Sequence, residues 1–297
     1  GEVLDRLALQ HPRLRVVHVV ELPTGWLGKN HAMHLGAARS SGEVLLFTDA
    51  DIVMESSALA RAIAYLVRQR IDHVTVTPGI EHRRLLNQIA LGGFHFVGGL
   101  FAKPWRCADP QSRRFVGIGA FNLMRRAAYL AAGSHQRIPL RPDDDMRLGQ
   151  LLKQSGASQH LLVGRGMITV EWYPSLGAMI RGLEKNCFAG ADYSLFKVIF
   201  AMLVFLVFLV VPYLALCWTH GATFWLNMAT VGLLSVTQID TLWRFYRLPP
   251  WQCLFLPLGT VLLCWMVWRS TALALWRRGI DWRGTFYSLD ELRANVV

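Results

Sequence analysis

Three long apolar runs in the last third of the chain leave few choices for how it can fold. Residues 198–218 include about twenty positions without a charge, enough for a helix to cross a bilayer. Residues 222–239 form a second run that ends at Asp240, and residues 251–268 a third, interrupted by Pro257 and Gly259. One such run could be a buried core helix, but three in succession predict a membrane half. The chain of 297 residues is 53% hydrophobic and 17% charged, with mean hydropathy +0.30, too apolar for an ordinary soluble domain. The excess lies mostly after Phe196. The expected division is therefore a globular half over 1–195, a membrane half with two to three crossings over 196–276, and a polar tail over 277–297.

Basic residues give these runs an orientation. The 217–223 connection has no Lys or Arg, whereas Arg244 and Arg247 flank the next one, so the globular half is expected to share the cytoplasmic side with residues 244–250. The tail, with Arg269, Arg277, Arg278 and Arg283 on or near it, conflicts with this if all three runs cross. A re-entrant or interfacial third run, bent at Pro257 and Gly259, would remove the conflict, and the sequence leaves both options open. The formal charge of +11 fits acidic headgroups or a phosphorylated substrate. No arginine run interleaved with aromatics is present, which argues against a nucleic-acid partner. The five cysteines form no CxxC pair, which argues against zinc or a disulfide scaffold and suits a reducing compartment. The opening GEVLDRLALQ lacks a leader pattern and reads as the inside of a helix, so a truncated start is expected.

The first half alternates. Apolar spacing predicts a helix over 1–10, a strand over 14–20, a helix over 30–39, a strand over 44–47, a helix over 57–70 and a strand over 72–77. That order is the signature of an α/β sheet with parallel strands. A glycine-rich helix over 83–101 could lie against a membrane or an acceptor. A strand over 116–124, a helix over 125–132 closed by Gly133, a helix over 143–155, strands within 161–172 and a helix over 175–189 complete the half.

Four features carry chemistry. Asp49-Ala50-Asp51 follows the run VLLFT, so two carboxylates point to one side at the carboxyl end of a strand, where α/β folds bind ligands. Hard oxygen ligands of this kind suit Mg²⁺ or Mn²⁺ held against a diphosphate. Asp143-Asp144-Asp145 opens a helix; Asp143 could be a simple N-cap, but three acids exceed what capping needs and raise one another's pKa, which suits a general base. Gly25-Trp26-Leu27-Gly28-Lys29 lets the backbone approach a ligand closely at Gly28 and offers Lys29 to a phosphate, without the spacing of a Walker loop. His31 and His34 read as packing or loop residues. Arg181 and Lys185, shortly before the first apolar run, could hold a leaving diphosphate or meet lipid headgroups.

Together GWLGKNHA at 25–32, TDAD at 48–51, GIGAFNLMRR at 117–126, DDDMRLG at 143–149, RGLEKN at 181–186 and DWRGTFY at 281–287 resemble family 2 glycosyltransferases. The bacterial membrane enzymes associated with carotenoids or hopanoids are the nearest in kind, with ceramide glucosyltransferases further off. The resemblance implies a glycosyltransferase A-type, Rossmann-like mixed sheet followed by transmembrane helices. It also implies a UDP- or GDP-sugar donor, a lipid acceptor and a multi-pass place in a bacterial inner membrane. By position it makes Asp49 and Asp51 the metal pair, Lys29 a nucleotide-side lysine and Asp145, beside Asp144, the base. Gly119, Ala120 and Phe121 would line the acceptor pocket. Transfer would invert the anomeric carbon in one displacement. Processive relatives carry a Q/RxxRW motif; RGLEKN has no Arg-Trp pair, which favours transfer of one sugar. The first strand and acidic segment of relatives are not in this sequence. Competing readings are transfer to a polyprenyl phosphate and a non-catalytic membrane scaffold. Transport and phosphohydrolysis are disfavoured by the scarcity of acids in the apolar runs and by the single metal-ligand pair.

Overall fold

In the computed structural model, which describes residues 1–80, 84–246 and 248–296, the first half follows the alternation read from the sequence. It runs α1 (Glu2–Gln10), α2 (Gly28–Arg39), β1 (Val44–Phe47), β2 (Val53–Met54), α3 (Ala58–Arg68), β3 (His73–Thr77), β4 (Gly79–Ile80), α4 (Leu85–Ala102), β5 (Asn122–Arg125), α5 (Arg126–Ala131), α6 (Asp144–Gln154), β6 (Gln159–Val163) and β7 (Ile168–Val170). Then come α7 (Leu176–Leu183), α8 (Cys187–Gly190), α9 (Leu195–Leu209), α10 (Val211–Ala215), α11 (Gly221–Tyr246) and α12 (Leu256–Arg277). A hairpin of β8 (Gly279–Trp282) and β9 (Thr285–Ser288) and a last helix, α13 (Leu289–Ala294), close the chain.

The main sheet has the order β1-β5-β3-β6, and β3 at its centre is buried at all five positions. Ala58, Ala62 and Leu66 of α3, one per turn, cover one face of the sheet with Val74, Val76 and Leu123. Leu148, Leu151 and Leu152 of α6 cover the other with Leu45 and Met124. The α/β class and the mixed sheet that the resemblance implies both hold; the parallel strands suggested by the alternation alone do not describe the whole sheet. Only β3 and β6 run parallel, because β5 enters between β1 and β3 and pairs antiparallel with both. A smaller sheet, β2-β7-β4, begins two residues beyond Asp51.

Several expected elements differ. Residues 14–20 join no ladder among the described residues; Val20 is almost fully exposed, and β propensity without a partner edge does not make a strand. Of 116–124, only the end is strand, since Gly117 and Gly119 sit against Asp145 instead. The helix expected over 175–189 is broken into α7 and α8 at residues 184–186.

Leu85–Arg106, Leu195–Ala215 and Pro250–Arg277 are long and apolar enough to cross a membrane. α11 holds the expected run 222–239 but is not among them, being diluted by Asn227, Thr230, Thr237 and Gln238. The tail packs against the α/β half. Ile280, Tyr287, Leu289 and Leu292 share one core cluster with Leu27, Leu140 and Phe188, and Leu140 N–H donates to Asn295 Oδ1 at 3.0 Å. The chain leaves the α/β half at α9 and is back on it after α12, so the tail lies on the same side as that half.

Candidate active site

Strand β1 ends at Phe47 and delivers Asp49 to its carboxyl end, while α2 begins at Gly28 and places Lys29 in its first turn. The two meet: Lys29 Nζ lies 3.0 Å from Asp49 Oδ1 and 3.2 Å from Asp144 Oδ1 at the start of α6. Burial works against the charge on Lys29. The carboxylates of Asp144, Asp49 and Asp145 outweigh it and hold the lysine pKa above its ordinary value. The acids show the reverse side of the balance. Burial, with Lys29 opposing and Asp145 and Asp49 adding, pushes Asp144 up to about 7, and burial likewise raises Asp145.

Gly119 sits between Asp49 and Asp145. Its carbonyl accepts the Asp49 N–H at 3.0 Å, and its own N–H donates to Asp145 Oδ2 at 2.7 Å. A Cβ on Gly119 would stand 2.6 Å from Asp49 Oδ2 and 3.4 Å from Asp145 Oδ2, so only glycine lets the two carboxylates face one space. The other Asp145 oxygen accepts from Met146 N–H at 2.8 Å, which fixes the carboxylate plane and leaves further lone pairs free. Phe121 does not reach this space: its side chain is fully buried in the core with Val74 and Leu123. Ala120 acts through its carbonyl, which accepts Thr48 Oγ1 at 2.8 Å and steadies the strand end. No neighbour stands within 4 Å of where a Gly28 Cβ would be, leaving the start of α2 open.

Lys185 belongs to the same field. Burial and Lys29 lower its pKa against the pull of Asp144, Asp145 and Asp49. Its ammonium lies 4.5 Å from the centre of the Trp282 ring on β8. The sequence has no Arg-Trp pair in RGLEKN, but the fold builds a Lys–Trp pair from segments almost a hundred residues apart. Glu184 holds this motif in place through Arg269 at 3.2 Å and Arg277 at 3.1 Å, both on α12. Arg181 is exposed on α7, and none of its hydrogen bonds or ion pairs among the described residues reaches the acids.

Tyr173, Asn30 and the arginine partners of Asp143 escaped sequence reasoning. Tyr173 is pushed up to about 12 by burial, then Cys187, and then Asp49 and Asp51 together, so it stands near both members of the pair. Asn30 donates through Nδ2 to the carbonyls of Ile138 (2.7 Å) and Arg141 (2.9 Å), tying α2 to the loop that leads into α6. Asp143 belongs to a separate lock: Arg141, fully buried, and Arg147 both bind it at 2.8 Å, and Arg141 also reaches Asp192 at 3.4 Å. Burial would raise Asp143, but the arginines outweigh it and lower its pKa. A lone Tyr or Asn carries no chemical pattern, though the spacing Arg141-Asp143-Arg147 was visible. His31 and His34 pack on the Trp26 ring, with centroids 5.4 and 5.3 Å away.

Among known proteins, a 4,4'-diaponeurosporenoate glycosyltransferase from Staphylococcus haemolyticus (strain JCSC1435) is 22% identical to this chain over 177 residues. The match takes in 56% of this chain and 45% of that protein, so the chain spans less than half the length of this curated relative. A solved structure, the mannosyltransferase PcManGT from Pyrobaculum calidifontis in complex with GDP-Man and Mn2+, is 17% identical, with 93% of this chain and 74% of that one covered at a TM-score of 0.47. Residues 2–93, which carry Lys29, Asp49 and Asp51, match the family described as Glycosyl transferase family 2. Over residues 2–93 the chain is thus similar to the family 2 glycosyltransferases.

Proposed function

We propose that the protein transfers a single sugar, with inversion, from a UDP- or GDP-sugar to the hydroxyl of a lipid at the cytoplasmic face of a bacterial inner membrane. The observation that carries this reading is the convergence of Lys29, Asp49, Asp144 and Asp145 around Gly119, next to a half made of apolar helices. Lys29 is the donor-side cation, and Lys185 adds a second positive group toward the departing diphosphate. Asp145, held by two backbone amides, takes the acceptor proton as the hydroxyl attacks the anomeric carbon. Burial raises its pKa above the usual carboxylate range, which makes it a stronger base. The lipid acceptor draws support from the relative named for diaponeurosporenoate and from the exposed apolar helices.

Asp49 and Asp51 fit a divalent cation. They stand two residues apart just beyond the end of β1 and offer only hard oxygen donors. Among the described residues no group of three such side chains could hold an ion unaided. Mg²⁺ or Mn²⁺ would take its remaining ligands from phosphate and water. Such an ion supplies neutralisation of charge on the leaving diphosphate.

The test is an assay of membranes holding the complete protein with radiolabelled UDP- and GDP-sugars, followed by lipid extraction. Label should enter the lipid fraction and be lost in Asp49→Asn and Asp51→Asn. No donor turnover with any nucleotide sugar would leave the scaffold reading standing in its place. Label in a phosphate-linked lipid, with Asp145→Asn still active, would point to a polyprenyl phosphate acceptor.

A further inference from the structure

Helices α4 and α12 are each apolar and long enough to cross a bilayer, yet both are fastened to the α/β half at both ends. α4 begins beside Tyr173, whose carbonyl accepts Asn87 Nδ2 at 3.0 Å. It ends at Phe101 and Ala102, where Arg114 Nη1 donates to the Phe101 carbonyl at 3.0 Å. A few residues on, the Cys107 carbonyl accepts Lys153 Nζ from α6 at 2.8 Å. For α12, Leu248 and Pro249 just ahead of it line a cavity with Gly79, Arg165 and Thr169. Its middle meets α8, where Phe188 N–H donates to Ser270 Oγ at 3.2 Å, and its end is held by the Arg277–Glu184 pair. A helix of this length extends about 27–33 Å, close to the roughly 30 Å of a hydrocarbon core. A crossing would carry one end of each helix to the far side of that layer, away from the body it touches.

The two helices also lie flat on each other. A Cβ on Gly93 would stand 2.6 Å from the backbone of Gly259, so their backbones are in contact. What α12 and the 3-10 turn just before it (Pro250–Phe255) turn outward is a single stripe: Leu254 on the turn, then Leu258, Val261, Trp265, Trp268 and Trp276 on the helix, spaced by threes, fours and an eight. Three of the six are tryptophans, the side chain suited to the boundary between headgroups and acyl chains. Exposed cations stand beside the ends, Lys103 and Arg106 after α4 and Arg277 and Arg278 at the end of α12. They complement anionic lipid.

We propose that α4 and α12 form an in-plane pair seated on a lipid bilayer surface, and that only the α9–α11 hairpin penetrates it. This rests on the membrane part of the function proposed above. It adds a consequence: α12 holds RGLEKN through Glu184, so Lys185 and the acids sit at the level of lipid headgroups, where an acceptor hydroxyl arrives.

Depth and sidedness test it, with the complete protein in vesicles of phosphatidylcholine doped with phosphatidylglycerol. Nitroxides placed singly at 254, 258, 265 and 276 in a cysteine-free background should report one shallow depth, about 5–10 Å into the boundary. Positions 199, 203 and 207 on α9 should deepen by about 1.5 Å per residue. Pro249→Cys and Arg283→Cys, on either side of α12, should react with a membrane-impermeant thiol reagent from the same side. A depth maximum at 265 with the two cysteines labelled from opposite sides would overturn the in-plane arrangement while leaving membrane function intact. Failure to enter vesicles at all would remove the membrane reading and this inference together.

Discussion

Asp143 and its neighbours Asp144 and Asp145 stand side by side at the start of α6 in two regions that treat charge in opposite ways. On one side, Asp143 and Asp192 meet Arg141 and Arg147, with Lys197 also on Asp192, so no acid lacks a base, and the pairing holds Asp143 below the usual carboxylate range. On the other, Asp49, Asp144 and Asp145 surround one close cation, Lys29, and burial pushes the latter two acids up. The balanced region is a structural lock. The unbalanced one is short of positive charge in a way that a donor-bound cation would relieve. One helix start thus fixes the loop with its first acid and carries the two raised acids next to it.

The largest test of this contrast is Asp145→Asn. It should lower kcat by about 10²–10⁴-fold, the usual worth of a positioned base, with thermal stability nearly unchanged. Activity near wild type would erase the distinction between the two regions. Arg141→Met should do the opposite. Removing one partner leaves the half-buried Asp143 and Asp192 with Arg147 as their one shared guanidinium, at a cost of up to about 3 kcal/mol read as a fall in unfolding midpoint. If the loss were confined to turnover, the lock would belong to the site.

pH separates the regions by sign. The Asp144–Asp145 pair keeps a proton up to about 7, so kcat/KM should fall as pH drops through neutrality, and Lys29→Met should move that limb upward by withdrawing a nearby positive charge. In the free protein, the stability due to these raised acids is present below the ordinary carboxylate range and is lost as pH rises to about 7. Asp143 runs the other way: its contribution is present above that range and is lost on acidification. A limb in the ordinary carboxylate range would refute the charge imbalance. The smallest effect is expected from Trp282→Ala, which removes the ring over Lys185. A loss of about 0.5–2 kcal/mol should fall mainly on donor KM, with Trp282→Phe retaining most of it.

Much of the first half was legible because its signals are local. The run VLLF at β1, the once-per-turn apolar positions of α3 and the acid-rich start of α6 each follow from a few neighbouring residues. The same holds for TDAD after its strand. Residues 14–20 misled because β-branched composition records propensity and not the presence of a partner edge. The Lys29–Asp49–Asp144 contact was anticipated only as separate motifs; their meeting depends on β5 inserting between β1 and β3 and carrying Gly119 beneath both acids.

What the sequence determined by itself is the kind of each segment: an alternating α/β half, an apolar half, and candidate groups at 29, 49, 51, 144 and 145. Periodicity and charge are written in adjacent residues, and they act before any distant contact forms. Only the tertiary structure decided which acid is locked and which is poised, where the Lys185–Trp282 pair comes from, and on which side the tail lies. Those outcomes depend on burial and on contacts across a hundred or more residues, and no spacing along the chain encodes either.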